Sequence, residues 1–431
     1  MSQGEVWIVR DPLFGDGGKA KIVDHLTKDE RIGAVVRWQG GDNAGHTMVV
    51  NGKKIAVHAI PSGVVRAQER PIISVMARGM VANLARAFAE LDALAEQGIV
   101  VTPENFLISE GLWLTLSYHM ALEKARESGP GKKDTTCRAI SQTYSSARMY
   151  QGVRAGDVRD LDVVRERIKL PLEYHNAILQ QVYGQDPITE EKVMVEIEAH
   201  RERLLPFLGN EILALNQMLA EGVIVLCEGA QSGMLDVDLG IYPNTTASNT
   251  WPGSIQSGCG INPLLITRDI AVIKAYTSRV GAGHLVAEMG EDIAGRIREV
   301  GQEYGTTSGR PRRIGWTDQL IGRYCALISK PTELAITKVD VLTGIDPLMV
   351  CYGYCDNGNE APIFPTTVSG LERCKPMLKP MRGWGDDIVG ITNWKDLPDN
   401  ARNYLFEVAI PYNAPISMVG TGPRRDQIIV S

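Results

Sequence analysis

Short apolar runs of strand length recur along the chain, at Val6–Val9, Ala34–Arg37, Ile55–His58, Ile72–Val75, Val223–Cys227, Ile270–Lys274, Leu334–Thr337 and Leu348–Cys351. Between them, Ala82–Gln97, Leu172–Tyr183, Glu191–Leu208 and Trp316–Leu327 carry apolar residues at helical period. Alternation of this kind predicts an α/β fold, a large, mostly parallel central sheet flanked by helices. The Asn51-Gly52 dipeptide between Met48–Asn51 and Ile55–His58 predicts a hairpin, with Gly52-Lys53-Lys54 in its turn. From about 154 to 222 the chain is rich in charge and helix formers, which predicts a helical insertion on the sheet. With no internal repeat and no long Pro/Gly/Ser linker, 1–431 is expected to be a single domain.

Composition narrows the classes. Hydrophobic residues make up 44% of the 431, ample for a deep core. A net charge of −6 argues against a nucleic-acid coat, and the local cluster Arg310, Arg312 and Arg313 suits a small anion instead. The seven cysteines form no CxxC pair, and Cys351 and Cys355 lack the His/Cys partners of a zinc site. The odd count and the missing signal peptide predict unpaired thiols in a reducing cytoplasm. No apolar run approaches the roughly 20 residues needed to span a bilayer. A cytoplasmic protein with small-molecule partners, and neither nucleic acid nor membrane, is expected.

The chemistry gathers where apolar runs end. Leu13-Phe14-Gly15-Asp16-Gly17-Gly18-Lys19-Ala20-Lys21 follows the first run and reads as a phosphate cradle, because backbone N–H groups approach a polyphosphate only where no side chain intervenes. It is not a Walker A box: no glycine stands five residues before Gly18-Lys19, and Ala20 follows the lysine. The competing reading is an Asx-type turn held by Asp16, with Lys19 and Lys21 on an exposed helix start. The second loop, Gln39 to Thr47, holds three glycines (Gly40, Gly41 and Gly45), Asn43 and His46, and lies outside any apolar periodicity. His46 suits general-acid work once protonated. Thr337-Lys338-Val339-Asp340 follows an apolar run and matches the [N/T]KxD tetrad that reads guanine, unless it is an ordinary strand end with a salt-bridged pair. Gly305-Thr306-Thr307-Ser308-Gly309-Arg310-Pro311-Arg312-Arg313 converges hydroxyls and guanidiniums suited to carboxylate or phosphate, the alternative being a solvated basic loop. Glu228-Gly229-Ala230-Gln231 ends another run in a small-residue turn and offers Gln231 as a polar contact.

In this order the segments resemble the adenylosuccinate synthetase family over almost the whole chain, through GD-x-GK-x-K (15–21), NAGHT (43–47), Thr135-Thr136, CEGAQ (227–231), the 235–250 stretch, KAYTSRVGAG (274–283), GTTSGRPRR (305–313), TKVDVL (337–342) and GTGP (420–423). The resemblance implies a homodimeric GTP-dependent ligase that condenses IMP with L-aspartate through a 6-phosphoryl intermediate, in purine biosynthesis. It implies Asp16 as base and His46 as acid. The family's GTP contacts fall on Gly15, Gly18, Lys19, Lys21, Gly45, Thr47, Arg312, Lys338, Asp340, Gly420, Thr421 and Gly422. Its IMP contacts fall on Asp16, Lys19, Asn43, His46, Thr136, Gln231, Thr246 and Arg310, and its aspartate contacts on Thr306, Thr307, Ser308, Arg310 and Arg312. Mg²⁺ would bridge Asp16, the Gly45 carbonyl and the phosphates.

Departures accompany the matches. Leu13-Phe14 replaces Gln-Trp, and Gly17 and Ala20 replace Glu and Gly. Tyr150 stands where the family carries an arginine that reaches the partner's IMP phosphate. His284-Leu285-Val286-Ala287-Glu288 replaces Pro-Phe-Pro-Thr-Glu, and several glycines are lost over 135–142. These changes are expected around the nucleotide and aspartate pockets, not in the buried sheet. They leave open a divergent paralogue with another purine nucleotide or amine, or a non-catalytic GTP-binding regulator.

Overall fold

A computed structural model describes residues 4–50, 52–129, 132–305 and 309–431; the expectations placed on Thr306, Thr307 and Ser308 fall outside them. Ten strands form one sheet: β1 (Val6–Arg10), β2 (Ile32–Arg37), β3 (Ile73–Met76), β4 (Phe106–Ser109), β5 (Leu208–Gly209), β6 (Ile224–Glu228), β7 (Ile266–Lys274), β8 (Glu333–Thr337), β9 (Ile416–Gly420) and β10 (Ile428–Val430). Their order across the sheet is β10-β9-β8-β7-β1-β6-β2-β3-β4-β5. Every pairing is parallel except β9 with β10.

β1 is central, paired with β6 on one side and β7 on the other. Successive side chains of a strand face opposite ways, so its unbroken apolar run supplies two cores. Trp7 and Val9 pack with Ile22, Val23 and Leu26 of the helix Lys19–Leu26. Val6 and Ile8 pack on the other face with Leu215 and Leu219 of the helix Glu211–Ala220.

Six of the expected runs become main-sheet strands with small shifts at their ends. Ile55–His58 instead belongs to the hairpin, where His46–Val50 pairs antiparallel with Lys53–Val57. Val50 faces Lys53, so Lys53 and Lys54 lie in the strand and not in the turn. Leu348–Cys351 opens the longer strand Leu348–Asp356 of a second sheet, paired with Cys374–Met381. The helix expected at Leu172 begins at Leu161, where the Asp160 carboxylate accepts from Asp162 N and Val163 N, and Pro171 is carried inside it. The 154–222 segment holds the helices Leu161–Gln181, Glu190–Leu204 and Glu211–Ala220, and also gives β5 to the sheet edge.

The loops after β2 and β3 are held together at Gly40 and Gly79. Gly79 N donates to Gly258 O at 2.9 Å, while Tyr144 Oη donates to Gly79 O at 2.6 Å and accepts from Gly40 N at 2.9 Å. A Cβ on Gly79 would lie 2.6 Å from Gly258 Cα, and backbone cannot give way as a side chain can. Gly79→Ala is expected to destabilise the protein by about 1–3 kcal/mol, read as a lowered urea midpoint with unchanged m-value.

Candidate active site

The segments after β1, β2, β6, β7, β8 and β9 leave from one edge of the sheet. In the first, Asp11 accepts from Leu13 N at 2.8 Å and from Gly17 N at 3.0 Å, which bends the chain back. Positive φ at Gly15 (93°), Asp16 (58°) and Gly18 (87°) continues the turn. At Gly17 a Cβ would lie 2.7 Å from Asp11 Oδ2 and 2.9 Å from Val272 O, so glycine is required there. Gly18 starts the helix Lys19–Leu26 with no side-chain cap and no acidic residue in the first turn, leaving N–H groups for an anion.

The lysines of that helix are not on an exposed start; both are buried. Lys19 Nζ donates to Gln231 O at 2.7 Å, and burial pushes its pKa down. Lys21 Nζ donates to Gly422 O at 2.6 Å and Gln427 O at 2.7 Å, fastening the segment after β9 to the first loop, and burial lowers its pKa to about 8.

His46 is not in an irregular loop. It opens the first hairpin strand, opposite Val57, and is 5% exposed. Its Nδ1 bonds the Glu228 carboxylate at the end of β6, whose other oxygen accepts from Ser62 N at 2.8 Å. Burial drives the His46 pKa down to about 4 even though Glu228 opposes the shift. The ring is therefore neutral, Nδ1–H donates to Glu228, and the buried Nε2 has no hydrogen-bond partner among the described residues. Glu228 was not singled out in the sequence; a carboxylate closing the buried run Val223–Cys227 was the available sign. Beside it, Gln231 Nε2 donates to Asn43 Oδ1 at 2.8 Å. Gln231 Oε1, Thr246 Oγ1 and Ser232 Oγ are buried without hydrogen-bond partners among the described residues, and Ser232 Oγ lies 3.6 Å from where a Cβ on Gly15 would be.

On the other flank Arg312 is 5% exposed. Its Nε lies 2.9 Å from Asp16 Oδ2, without hydrogen-bond alignment, and its Nη1 donates to Glu303 Oε2 at 2.6 Å. The basic loop is thus partly buried and ion-paired. Lys338 Nζ bonds Gly301 O and lies 3.6 Å from Glu303. Thr337 Oγ1 donates to Gly17 O at 2.7 Å, tying the tetrad to the first loop. Burial raises the Asp340 pKa against the pull of Lys338 and Lys21. Val339 N donates to Gly420 O at 3.4 Å, and Thr421 Oγ1 to Ile391 O at 2.8 Å.

Other expected residues are less closely drawn in. Thr47 is a half-buried hairpin residue opposite Ala56, and Gly45 precedes it at the loop's end. Thr136 is half-buried ahead of the helix Ile140–Arg148. Arg310 Nη2 donates to Asp134 O at 3.0 Å, joining the basic loop to that stretch. Tyr150 is 97% exposed with φ 62°. The departures do not all line pockets: Leu13, Phe14, Leu285 and Ala287 are buried in one shared core. Arg279 stacks over Phe14 at 4.9 Å and donates to His284 O at 3.1 Å, so the two altered segments pack as a unit.

No group of three or more His, Cys, Asp or Glu side chains among the described residues could hold a metal by itself. One partly exposed carboxylate, Asp16, and a backbone carbonyl suit a hard cation that takes its remaining oxygens from phosphates and water, which is how Mg²⁺ binds.

Two outcomes follow for the histidine. Its folded pKa lies below the unfolded value of 6.5, so the unfolded chain binds the extra proton and stability is lost as pH falls from about 6.5 toward 4. His25, His119 and His175 are shifted in the same direction. Urea midpoints of the ligand-free protein should fall through that window, less steeply in His46→Gln. Glu228→Gln removes the charge that orients the ring and should lower kcat by about 10²-fold with little change in the far-UV spectrum.

The adenylosuccinate synthetase family model matches residues 9–429. The adenylosuccinate synthetase of Streptococcus gordonii is 39% identical over 422 residues, 97% of this chain and 96% of the relative. That of Streptococcus sanguinis is 38% identical over the same shares. The fully ligated adenylosuccinate synthetase of Plasmodium falciparum superposes with a TM-score of 0.91 at 30% identity, covering 99% of this chain and 100% of its own. The succinoaminodeoxyadenylate synthetase of cyanophage S-2L, solved with dGMP and dATP, shares the fold alone, with a TM-score of 0.62 at 16% identity over 100% and 96% of the chains. From end to end, the chain belongs to the adenylosuccinate synthetase family.

Proposed function

We propose that this chain is a GTP-dependent ligase that joins L-aspartate to C6 of IMP, releasing GDP and phosphate. The observation that carries the reading is the meeting, at one sheet edge, of Asp16 with buried polar atoms that have no hydrogen-bond partner among the described residues: His46 Nε2, Gln231 Oε1, Thr246 Oγ1 and Arg312 Nε, the last only ion-paired with Asp16. Such orphans are costly unless a ligand satisfies them.

In this reading Asp16 takes the proton from N1 of the purine, and O6 then attacks the γ-phosphoryl group. The arriving phosphoryl charge raises the His46 pKa, and Glu228 stabilises the imidazolium that results. His46 then holds a proton at Nε2 for the transferring group. Lys19, fixed by Gln231 O, and the uncapped helix N-terminus receive the phosphates. Asn43, Gln231, Thr246, Thr136 and Arg310 hold IMP. Arg312, with the loop before it, holds the aspartate carboxylates, whose amine displaces phosphate at C6. Asp340 accepts from the guanine N–H groups, and Gly420 to Gly422 border the base. Asp16 and the Gly45 carbonyl would hold Mg²⁺ together with the phosphates; the ion supplies charge neutralisation when bound.

The enzyme acts as a homodimer of single-domain chains in the cytoplasm, as the family resemblance implies. Among the described residues no helix is long and apolar enough to cross a membrane. A second reading, a paralogue with another purine nucleotide or amine, is favoured by the altered Phe14–His284 unit and by Tyr150.

Phosphate release from GTP across a panel of purine monophosphates and amino acids tests these readings. Turnover is expected with IMP and aspartate; turnover only with another pair selects the paralogue, and GTP binding with no release in any pair selects a regulator. Asp16→Asn and His46→Ala should each lower kcat by about 10²–10⁴-fold, and activity within tenfold of the parent would remove the roles given to them. GTP should exceed ATP in kcat/KM by about 10²-fold or more, because adenine leaves the Asp340 carboxylate unpaired. Asp340→Asn should relax that preference, and equal use of both nucleotides by the unchanged enzyme would end the guanine assignment.

A further inference from the structure

Glu303 follows the helix Glu291–Gly301 and is 0% exposed, yet no motif gives it a part. Its carboxylate gathers donors from several stretches of chain. Lys274 Nζ, at the end of β7, lies 3.1 Å from each oxygen. Tyr276 Oη donates at 2.6 Å and Ser278 Oγ at 3.4 Å. Arg312 Nη1 donates at 2.6 Å, and Lys338 Nζ stands at 3.6 Å. Burial opposes ionisation, but Lys274, Lys338, Arg312 and the Tyr276 hydroxyl outweigh it and hold the carboxyl well below the usual carboxylate range.

A purely structural ion cluster would close on itself. This one is open at two ends. Through Arg312, whose Nε lies 2.9 Å from Asp16, it reaches the first loop. Through Lys338, two residues before Asp340, it reaches the tetrad after β8. The ammonium of Lys338 is confined by Glu303 and Gly301 O together, so its place depends on where the carboxylate sits. Lys274 and Tyr276 anchor that carboxylate to the rigid end of β7 and the residues after it.

We infer that Glu303 is a positioning residue of the ligase reaction, setting Lys338 and Arg312 from one point so that occupation of the guanine pocket is felt at the arginine beside Asp16 and in aspartate binding. The inference rests on the site assignment under Proposed function. Glu303 itself touches no substrate in that assignment; it acts through Arg312, placed there at the aspartate carboxylates, and through Lys338, which the family resemblance places at GTP.

Steady-state kinetics with each substrate varied in turn tests it. Glu303→Gln keeps the shape and removes the charge. It is expected to raise KM for GTP and for aspartate about tenfold or more each and to leave KM for IMP within about threefold, with Glu303→Asp recovering part of the loss. Lys338→Met should raise KM for aspartate as well as for GTP, and the aspartate effect should vanish in the Glu303→Gln background. Equal rises in all three KM values, a lowered melting temperature with unchanged KM values, or a Lys338→Met enzyme with native KM for aspartate would overturn the inference. If Glu303→Gln does not fold, the Lys338→Met measurement decides alone. Absence of turnover in the unchanged protein strikes the proposed function instead, whereas an active parent with a flat KM pattern strikes only this inference.

Discussion

Parallel pairing across β8, β7, β1, β6 and β2 is the constraint on which the site depends. In parallel neighbours every chain departs from the same edge, so segments far apart in sequence must meet there. His46 and Glu228 are 182 residues apart, and Thr337 and Gly17 are 320 apart. Each pair nevertheless touches, because each member lies close beyond, or at the end of, a strand in adjacent or nearby register. The flanking helices keep both faces of the sheet dry, which leaves that edge as the place where polar groups can collect. Lys21 shows the consequence: its ammonium belongs to the helix after β1, yet its acceptors lie beyond β9.

Burying so many charges is expensive, and the site manages it with a few shared carboxylates. Desolvation disfavours the charged forms of Lys19, Arg37 and Lys274. Their nearest opposing charges include Asp11 and Glu228 for Lys19, Glu228 for Arg37 and Glu303 for Lys274. Where burial outweighs the carboxylate the group is pushed toward its neutral form, as His46 is beside Glu228, and a polar group such as Thr246 Oγ1 is left with an unmade bond. Each unmade bond costs roughly 1–3 kcal/mol in the free protein. The surrounding core holds these atoms in place against that cost, so a ligand arriving there meets groups that are already oriented.

The central sheet was legible because strands buried on both faces leave long apolar runs, as Val6–Val9 does. The edge was not. β5 and β10 are too short to make a pattern, and β9 mixes Ser417 among apolar residues. The loops were legible through their glycines, since a turn that needs positive φ leaves Gly15 and Gly18 as its mark. The carboxylates that orient the site, Glu228 and Glu303, were not, because a single acidic residue has no spacing to betray it and its partners are set by the tertiary fold. The burial of Lys19 and Lys21 was likewise hidden, since local sequence reads a lysine at a helix start as exposed. The altered residues at 13–14 and 284–288 were expected around pockets, but Phe14 and Leu285 lie within one hydrophobic core and answer to each other.

The first loop also constrains how this sequence could have changed. The Asp11 carboxylate fills the space into which any side chain at position 17 would project, and its bond to Gly17 N is what bends the loop. A glutamate there, as in the resembling family, would collide with that carboxylate and with the Val272 carbonyl. Asp11 and Gly17 therefore form a single heritable choice. Neither is reached or abandoned alone without passing through a strained or unsupported loop, so a descendant seeking the other arrangement would have to alter the end of a central strand and the loop beyond it together.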